Sequence, residues 1–267
     1  MAAELFRRGL RDHLRSWVAW CIGIVAYVGL IVAIFPSIES SPQLDDLLES
    51  YPDVLKELFG IVEGGSLTSG AGYLDTELFS FMLPIFVLFL AIGSGARTFA
   101  GEEDAGRLEL VLSYPIRRRD AVWAKGLAVG TEILVVCVTT GLALLMFDPL
   151  AGLDLSPQRI AAATASLAAL GLLHGWLALA VGASTASRGL AIGVPAGLAA
   201  AGYLVGGLHA VAGWLDPFRV VSPFWLVGSS PLQGGARLWG IATVVAAAFV
   251  CLAVGALWVE RRDLETP

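Results

Sequence analysis

Six long apolar runs, separated by shorter polar segments, dominate the pattern of the chain. The runs are Ser16–Pro36, Leu78–Ala96, Ala121–Phe147, Ile160–Ala183, Gly189–Ala212 and Leu238–Val259. A helix that crosses a bilayer needs about 20 mostly apolar residues, which each run supplies. Strands of a membrane barrel would instead alternate polar and apolar side chains over about 10 residues. The pattern therefore predicts an all-α membrane protein with six transmembrane helices.

The composition supports this prediction. Hydrophobic residues make up 57% of the 267 positions and charged residues only 15%, whereas soluble domains carry about 25% charged residues. No internal repeat divides the chain, so we expect one transmembrane domain over residues 1–267. The three cysteines all fall inside apolar runs, which gives neither a disulfide framework nor the spacing of a metal site.

The distribution of basic residues predicts the orientation. If the N-terminus is cytoplasmic, thirteen of the 17 lysines and arginines lie on the inner side, and only Lys56, Arg159, Arg219 and Arg237 lie outside. Cytoplasmic segments of membrane proteins carry such an excess. Six spans then return the C-terminus to the cytoplasm, as expected for a multi-pass protein of the cytoplasmic membrane.

Three polar or irregular segments flank the runs. Residues 1–15 place arginines on one helical stripe and apolar side chains on another, which suits an interfacial helix on anionic lipids or ordinary basic flanking of the first span. The outer segment 37–77 carries nine acids and one lysine. It could form an acidic vestibule that concentrates cations or a solvated acidic cap. Residues 213–235, rich in proline and aromatic side chains, predict an outer interfacial loop.

The most charged segment, residues 97–120, is predicted to face the cytoplasm between spans two and three. Leu108, Val111 and Leu112 fall on one side of a helix that Pro115 ends. An apolar ridge exposed to the cytoplasm would need a protein partner, although such a helix could also cover its own bundle.

This segment resembles the intracellular loop of ABC-2 type transporter permeases, in which an acidic residue, a G-T/R-L-E-L-L-L-S-x-P run, a basic run and a lysine recur. The matching residues are Glu103, Gly106, Arg107, Leu108, Glu109, Leu110, Val111, Leu112, Ser113, Pro115, Arg118 and Lys125. Arg107 is a departure, since threonine is frequent at that position. The six-span layout, the long first outer loop and the proline-rich stretch before the last span extend the resemblance over nearly the whole chain.

The resemblance implies a permease subunit that exports a substrate by alternating access. In this family the loop forms a coupling helix that docks on a separate ATPase, and two permeases work with two ATPases that bind ATP and magnesium. The residues implied in ATPase coupling are Glu102, Glu103, Gly106, Arg107, Leu108, Glu109, Leu112 and Pro115. Neither a cofactor of this chain nor a nucleic-acid partner is expected, and the cargo is not identified.

The sequence also lacks a P-loop, which agrees with ATP hydrolysis in a separate subunit. A phosphate-binding P-loop needs a lysine directly after a glycine. The chain has two lysines, Lys56 and Lys125, and neither follows a glycine. ATP hydrolysis must therefore come from a partner.

Two ionisable residues lie deep inside apolar runs, Glu132 in the third and His174 in the fourth. A charge in the bilayer is costly, so such groups usually face the bundle interior or water. Their similar predicted depths allow a polar pair with a role in translocation, or separate bonds to neighbouring backbone or hydroxyl groups. Gly189, Gly193 and Gly197 form a row in the fifth span that would let helices approach closely. The family's permease dimer contact involves spans one and five.

Two rival interpretations remain open. Glu102, Glu103 and Arg107 match the E-E-x-x-x-R element of CAAX-protease-like membrane enzymes, but neither His174 nor His209 completes the other elements of that family. A channel or secondary transporter that works without an ATPase would need intramembrane ion ligands, for which Glu132 and His174 are a small inventory.

Overall fold

A computed structural model describes residues 2–41, 51–52, 68–99, 101 and 117–261. Over these ranges the chain is almost entirely helical and forms no strand. Six of the described helices are long and apolar enough to cross a bilayer. The predicted all-α fold with six spans is therefore confirmed.

The helices follow the apolar runs closely. The long ones are α1 (Ala2–Glu39), α2 (Gly70–Thr98), α3 (Arg118–Ala151), α4 (Pro157–Thr185) and α5 (Arg188–Leu208), followed by a short α6 (Pro223–Val227) and the last long helix α7 (Leu238–Arg261). Two 3₁₀ helices, Gly213–Val221 and Pro231–Gln233, flank α6. We call the end of the bundle with Thr98 and Arg118 the predicted cytoplasmic end, and the opposite end the predicted outer end.

Short, well-defined turns connect α3, α4 and α5. Gly152 ends α3 with a φ of 64°, a left-handed conformation that glycine adopts without steric cost. Pro157 then starts α4 in the first turn, where its missing N–H would have no helical partner. The Ser187 side chain accepts a hydrogen bond from the Leu190 amide and caps α5. These turns place the three helices side by side in alternating directions.

Helix α4 forms the centre of the bundle. It is the most buried of the six spans, and it packs against α2, α3, α5 and α7. Gly171 and Gly175 make this possible, because a side chain at either position would press on Ile133 of α3 and on Val87 or Ala91 of α2. Gly171 and Gly175 therefore allow close packing of α4 against α2 and α3 within the protomer. Helices α1 and α5 are the least buried and leave one face open.

Three of the predicted non-spanning segments contain helices in the structure. Helix α2 starts at Gly70, within the predicted outer segment 37–77, because Ser69 caps it and because Gly70 fits directly against the Leu153 backbone. Residues 2–15, predicted as an interfacial helix, form the first turns of α1 without an interruption. In the predicted outer loop 213–235, prolines and serines divide the chain into three short helices.

Candidate functional site

The residues predicted to contact an ATPase lie outside the described residues. They are Glu102, Glu103, Gly106, Arg107, Leu108, Glu109, Leu112 and Pro115. The structure does describe the two helix ends that flank this segment, Thr98 of α2 and Arg118 of α3. The geometry of these two ends determines where the segment begins and returns.

Lys125 joins the two helix ends. Its ammonium group donates a hydrogen bond of 2.9 Å to the carbonyl oxygen of Thr98, the last residue of α2. The same group lies over the Phe99 ring, 4.8 Å from the centroid, where the electron-rich face attracts a cation. Lys125 is buried, and a lysine is rarely buried unless it is paired. A charged group inside the protein therefore fixes the base of the predicted coupling segment.

Glu132 lies between three helices. Its carboxyl group is almost fully buried and faces the Ser94 hydroxyl and the Arg97 guanidinium of α2 as well as the Trp17 indole of α1. Arg97 also donates a hydrogen bond of 3.3 Å to the Ser94 hydroxyl. The residues form a polar group in the half of the bundle nearer the predicted cytoplasmic end. Glu132 could be identified from its charge in the sequence, but its neighbours Ser94, Arg97 and Trp17 could not.

His174 has a different environment. Its Nδ1 donates a hydrogen bond of 2.8 Å to the Leu170 carbonyl oxygen of its own helix, and its ring lies 6.4 Å from that of Phe224 in α6. These neighbours differ from those of Glu132. The described hydrogen bond of His174 fits the second of the two predicted arrangements, a bond to a neighbouring backbone group. The role of both residues in translocation stays a prediction.

The glycine row of α5 faces open space within the protomer. A Cβ at Gly193 or Gly197 would meet no atom within 4 Å, and one at Gly189 would meet only the Ser187 hydroxyl at 3.8 Å. Gly202, further along the same helix, is packed, because a Cβ there would lie 3.1 Å from Pro223. The row of Gly189, Gly193 and Gly197 is thus open, whereas Gly202 contacts the outer loop.

A pocket of about 330 Å³ opens between α1 and α2. Aromatic side chains line it, with the Phe86 ring 5.3 Å from that of Tyr27 and 6.5 Å from that of Trp20. Gly23 of α1 also lines the pocket and leaves space there, since a Cβ at this position would meet no atom within 4 Å. The pocket suits an apolar group.

The outer loop is organised around Trp225 of α6. The Arg219 and Arg237 guanidinium carbons lie 5.3 and 4.2 Å from the ring centroid, and Arg237 also donates a hydrogen bond of 2.9 Å to the Trp225 carbonyl oxygen. Arg219 and Arg237, two of the four basic residues predicted to lie outside, therefore stabilise the loop through contacts with Trp225. Asp75, which sequence analysis counted only among the outer acids, also bonds to this loop.

Among the described residues, no group of three or more histidine, cysteine, aspartate or glutamate side chains could hold a metal ion. Nothing in this part of the chain therefore adds a metal centre to the polar groups around Lys125 and Glu132.

The family model of the ABC-2 family transporter protein matches residues 3–264, a range that includes all six spans. The chain belongs to the ABC-2 transporter family. A comparison with curated proteins found no match. The family assignment confirms the resemblance drawn from the charged segment and makes this ABC-2 chain a multi-pass permease, the membrane component of an ABC transporter. Membership also implies association with an ABC-type ATPase subunit.

Proposed function

We propose that this ABC-2 permease exports a substrate across the cytoplasmic membrane by alternating access, with energy from a separate ATPase that binds ATP and magnesium. Its family supports transport, and the absence of a lysine after a glycine supports hydrolysis in another chain. The working unit is two permeases with two ATPases. ATP binding closes the ATPase pair and displaces the coupling segment of each permease.

The observation that carries this proposal is the bond from Lys125 to the Thr98 carbonyl oxygen. A segment that transmits force must not yield at its base. The buried ammonium group joins the end of α2 to α3, and a hydrogen bond to a charged group contributes about 1.5–3 kcal/mol. A push on residues 102–115 is then passed to α2 and α3 together.

The open α5 glycine row supports a permease dimer. Gly193 and Gly197 leave the helix backbone accessible, and such rows allow close approach of a second helix in a membrane. We assign the contact with the second permease copy to Gly189, Gly193 and Gly197.

Glu132 and His174 are proposed to act in translocation. Both are buried in the spans, where ionisable groups are costly and usually functional. Their different neighbours indicate separate contributions, with Glu132 near the predicted cytoplasmic end of α2 and His174 beside α6.

The test is purification of the tagged chain from its native membrane under mild conditions. We expect a co-purifying subunit with a P-loop, in equal amount, whose hydrolysis in reconstituted vesicles depends on the permease. Transport by the chain alone would support the channel or secondary transporter, and peptide cleavage by the chain alone would support the peptidase. Either result would overturn the proposal.

A further inference from the structure

Asp75 binds the outer loop to α2. Its side chain is fully buried, and its two carboxylate oxygens accept hydrogen bonds of 3.0 Å each from the amides of Leu232 and Gln233. These amides belong to the 3₁₀ helix Pro231–Gln233, which we call the outer turn. Hydrogen bonds to a carboxylate are stronger than those between neutral groups. The contact joins residues that are 157 and 158 positions apart in the chain.

The outer turn is held from its other side by α4. Arg159, in the first turn of α4, donates a hydrogen bond of 3.4 Å to the Leu232 carbonyl oxygen. Pro231 and Leu232 are buried, and Gly234 lies beside the Arg159 guanidinium group. The turn is thus fixed through its amides by Asp75 and through a carbonyl group by Arg159.

Asp75 also begins an unusual part of α2. Residues Asp75–Met82 form a π-helix, and the Leu83 amide bonds to the Leu78 carbonyl oxygen five residues back. The Ser80 hydroxyl donates a hydrogen bond of 2.8 Å to the Asp75 carbonyl oxygen. A π-helix is rare and is frequently found at functional sites. Within this π-helix, Asp75 lies inside the bundle and Glu77 on its surface.

The opposite end of α2 leads into the predicted coupling segment. The helix runs from Gly70 to Thr98, where Lys125 fixes its last carbonyl group. One helix therefore contacts the outer turn at one end and the base of the coupling segment at the other.

We propose that Asp75 is a positioning residue that makes α2 and the outer turn move as one body during transport. A displacement of α2 at its predicted cytoplasmic end then moves the outer turn as well. The inference rests on the proposed coupling role of residues 102–115, but the bond itself can be tested in the permease alone.

The first experiment measures hydrogen exchange in the full chain in lipid nanodiscs. Asp75→Asn leaves one acceptor oxygen and turns an NH₂ group toward an amide, so we expect the outer turn to exchange at least about tenfold faster. The matched control is Glu77→Gln, which removes a charge from an exposed position of the same π-helix. Unchanged exchange in Asp75→Asn would overturn the inference. If no ATPase binds the chain, the proposed function fails but this result stands.

The second experiment needs no change at Asp75, so it holds even where that variant does not fold. Spin labels at Glu77 and Ser229, in a chain whose native cysteines are replaced, report the distance between α2 and the outer loop. A reference pair at Ser37 and Ser229 reports movement relative to α1. In the complex with the ATPase, we expect ATP trapping to change the reference distance while the first distance stays constant. A change in the first distance, or no change in either, would refute the one-body movement.

The third readout is transport. The Asp75→Asn complex should bind its ATPase and hydrolyse ATP at the normal basal rate, but move at least about tenfold less substrate for each ATP hydrolysed. A purely local effect of Asp75 on folding would instead lower binding, hydrolysis and transport together.

Discussion

Gly95 of α2 lies directly against the carbonyl oxygen of Gly175 in α4, and a Cβ at Gly95 would overlap this oxygen. The next closest atoms are the Ala178 Cβ at 3.0 Å and the Leu179 amide nitrogen at 3.1 Å. The contact sets the distance between the helix that carries the coupling segment and the helix at the centre of the bundle. It depends on the absence of a side chain rather than on a particular attraction.

This contact predicts a large effect from one methyl group. Gly95→Ala should force α2 away from α4 and destabilise the protein by about 1–3 kcal/mol, the usual cost of overpacking. Gly93→Ala is the control, because a Cβ at Gly93 meets no atom within 4 Å, and it should leave the stability unchanged or raise it slightly. Thermal unfolding of both variants in the same detergent measures the difference. Equal melting temperatures would contradict the described packing.

The spans could be predicted from the sequence because membrane crossing depends on the length of apolar runs. The start of α2 could not be predicted in this way. The stretch from Ser69 to Asp75 contains two glycines and an acid, and it is helical because distant groups support it. The Tyr73 hydroxyl donates a hydrogen bond of 3.1 Å to the Ile31 carbonyl oxygen of α1, and Asp75 binds the outer turn.

In the candidate site too, single residues could be predicted from the sequence, whereas their contacts with distant residues could not. Glu132 could be identified because a carboxyl group stands out in an apolar run, but its neighbours on α1 and α2 depend on how the helices pack. Lys125 matched the family's loop, yet its bond to Thr98 appears only in the structure. A signal for Asp75 was present, since this acid lies shortly before the apolar run Leu78–Ala96. Its partners are too far along the chain for a local pattern to show them.

Removing the Lys125 ammonium group should weaken coupling. Lys125→Met keeps the length and apolar character of the side chain but takes the donor away from the Thr98 carbonyl oxygen. We expect a loss of about 1.5–3 kcal/mol in stability and fewer substrate molecules moved per ATP, as measured by transport and hydrolysis in the same vesicles.

The control for Lys125 is Arg119→Met on the same helix. Arg119 lies 3.6 Å from Glu260, and both side chains are about 40% exposed, so this pair should contribute about 0–1 kcal/mol. An equal loss of coupling in both variants would show that the loss of a positive charge from α3, rather than the bond to α2, weakens coupling.

Charge reversal in the predicted coupling segment should separate hydrolysis from transport. Glu103→Lys together with Glu109→Lys replaces acids that are predicted to fix the register on the ATPase, and mismatched charges at an interface weaken specific docking. ATP hydrolysis should continue while transport falls, and thermal unfolding of the permease alone should not change. Normal transport per ATP in this variant would count against the assignment of the segment.

Glu132 and His174 should contribute separately to transport. Because their described neighbours differ, the effects of Glu132→Gln and His174→Gln should add in the double variant to within about 0.3–0.5 kcal/mol. The rates of transport in the four proteins of this cycle give the coupling energy. A larger value would restore the predicted polar pair as a direct interaction.

The open glycine row should control the dimer without affecting the protomer. Gly193 and Gly197 are exposed, and a Cβ at either position would meet no atom within 4 Å. Gly193→Leu with Gly197→Leu should therefore preserve folding while blocking close approach of a second α5. Cross-linking in the membrane and the mass of the purified complex measure the loss of the dimer. Gly202→Leu is the contrasting variant, because its side chain would collide with Pro223 and Phe224 and should lower the stability of the protomer itself. A dimer that survives both leucines in the open row would place the contact on another helix.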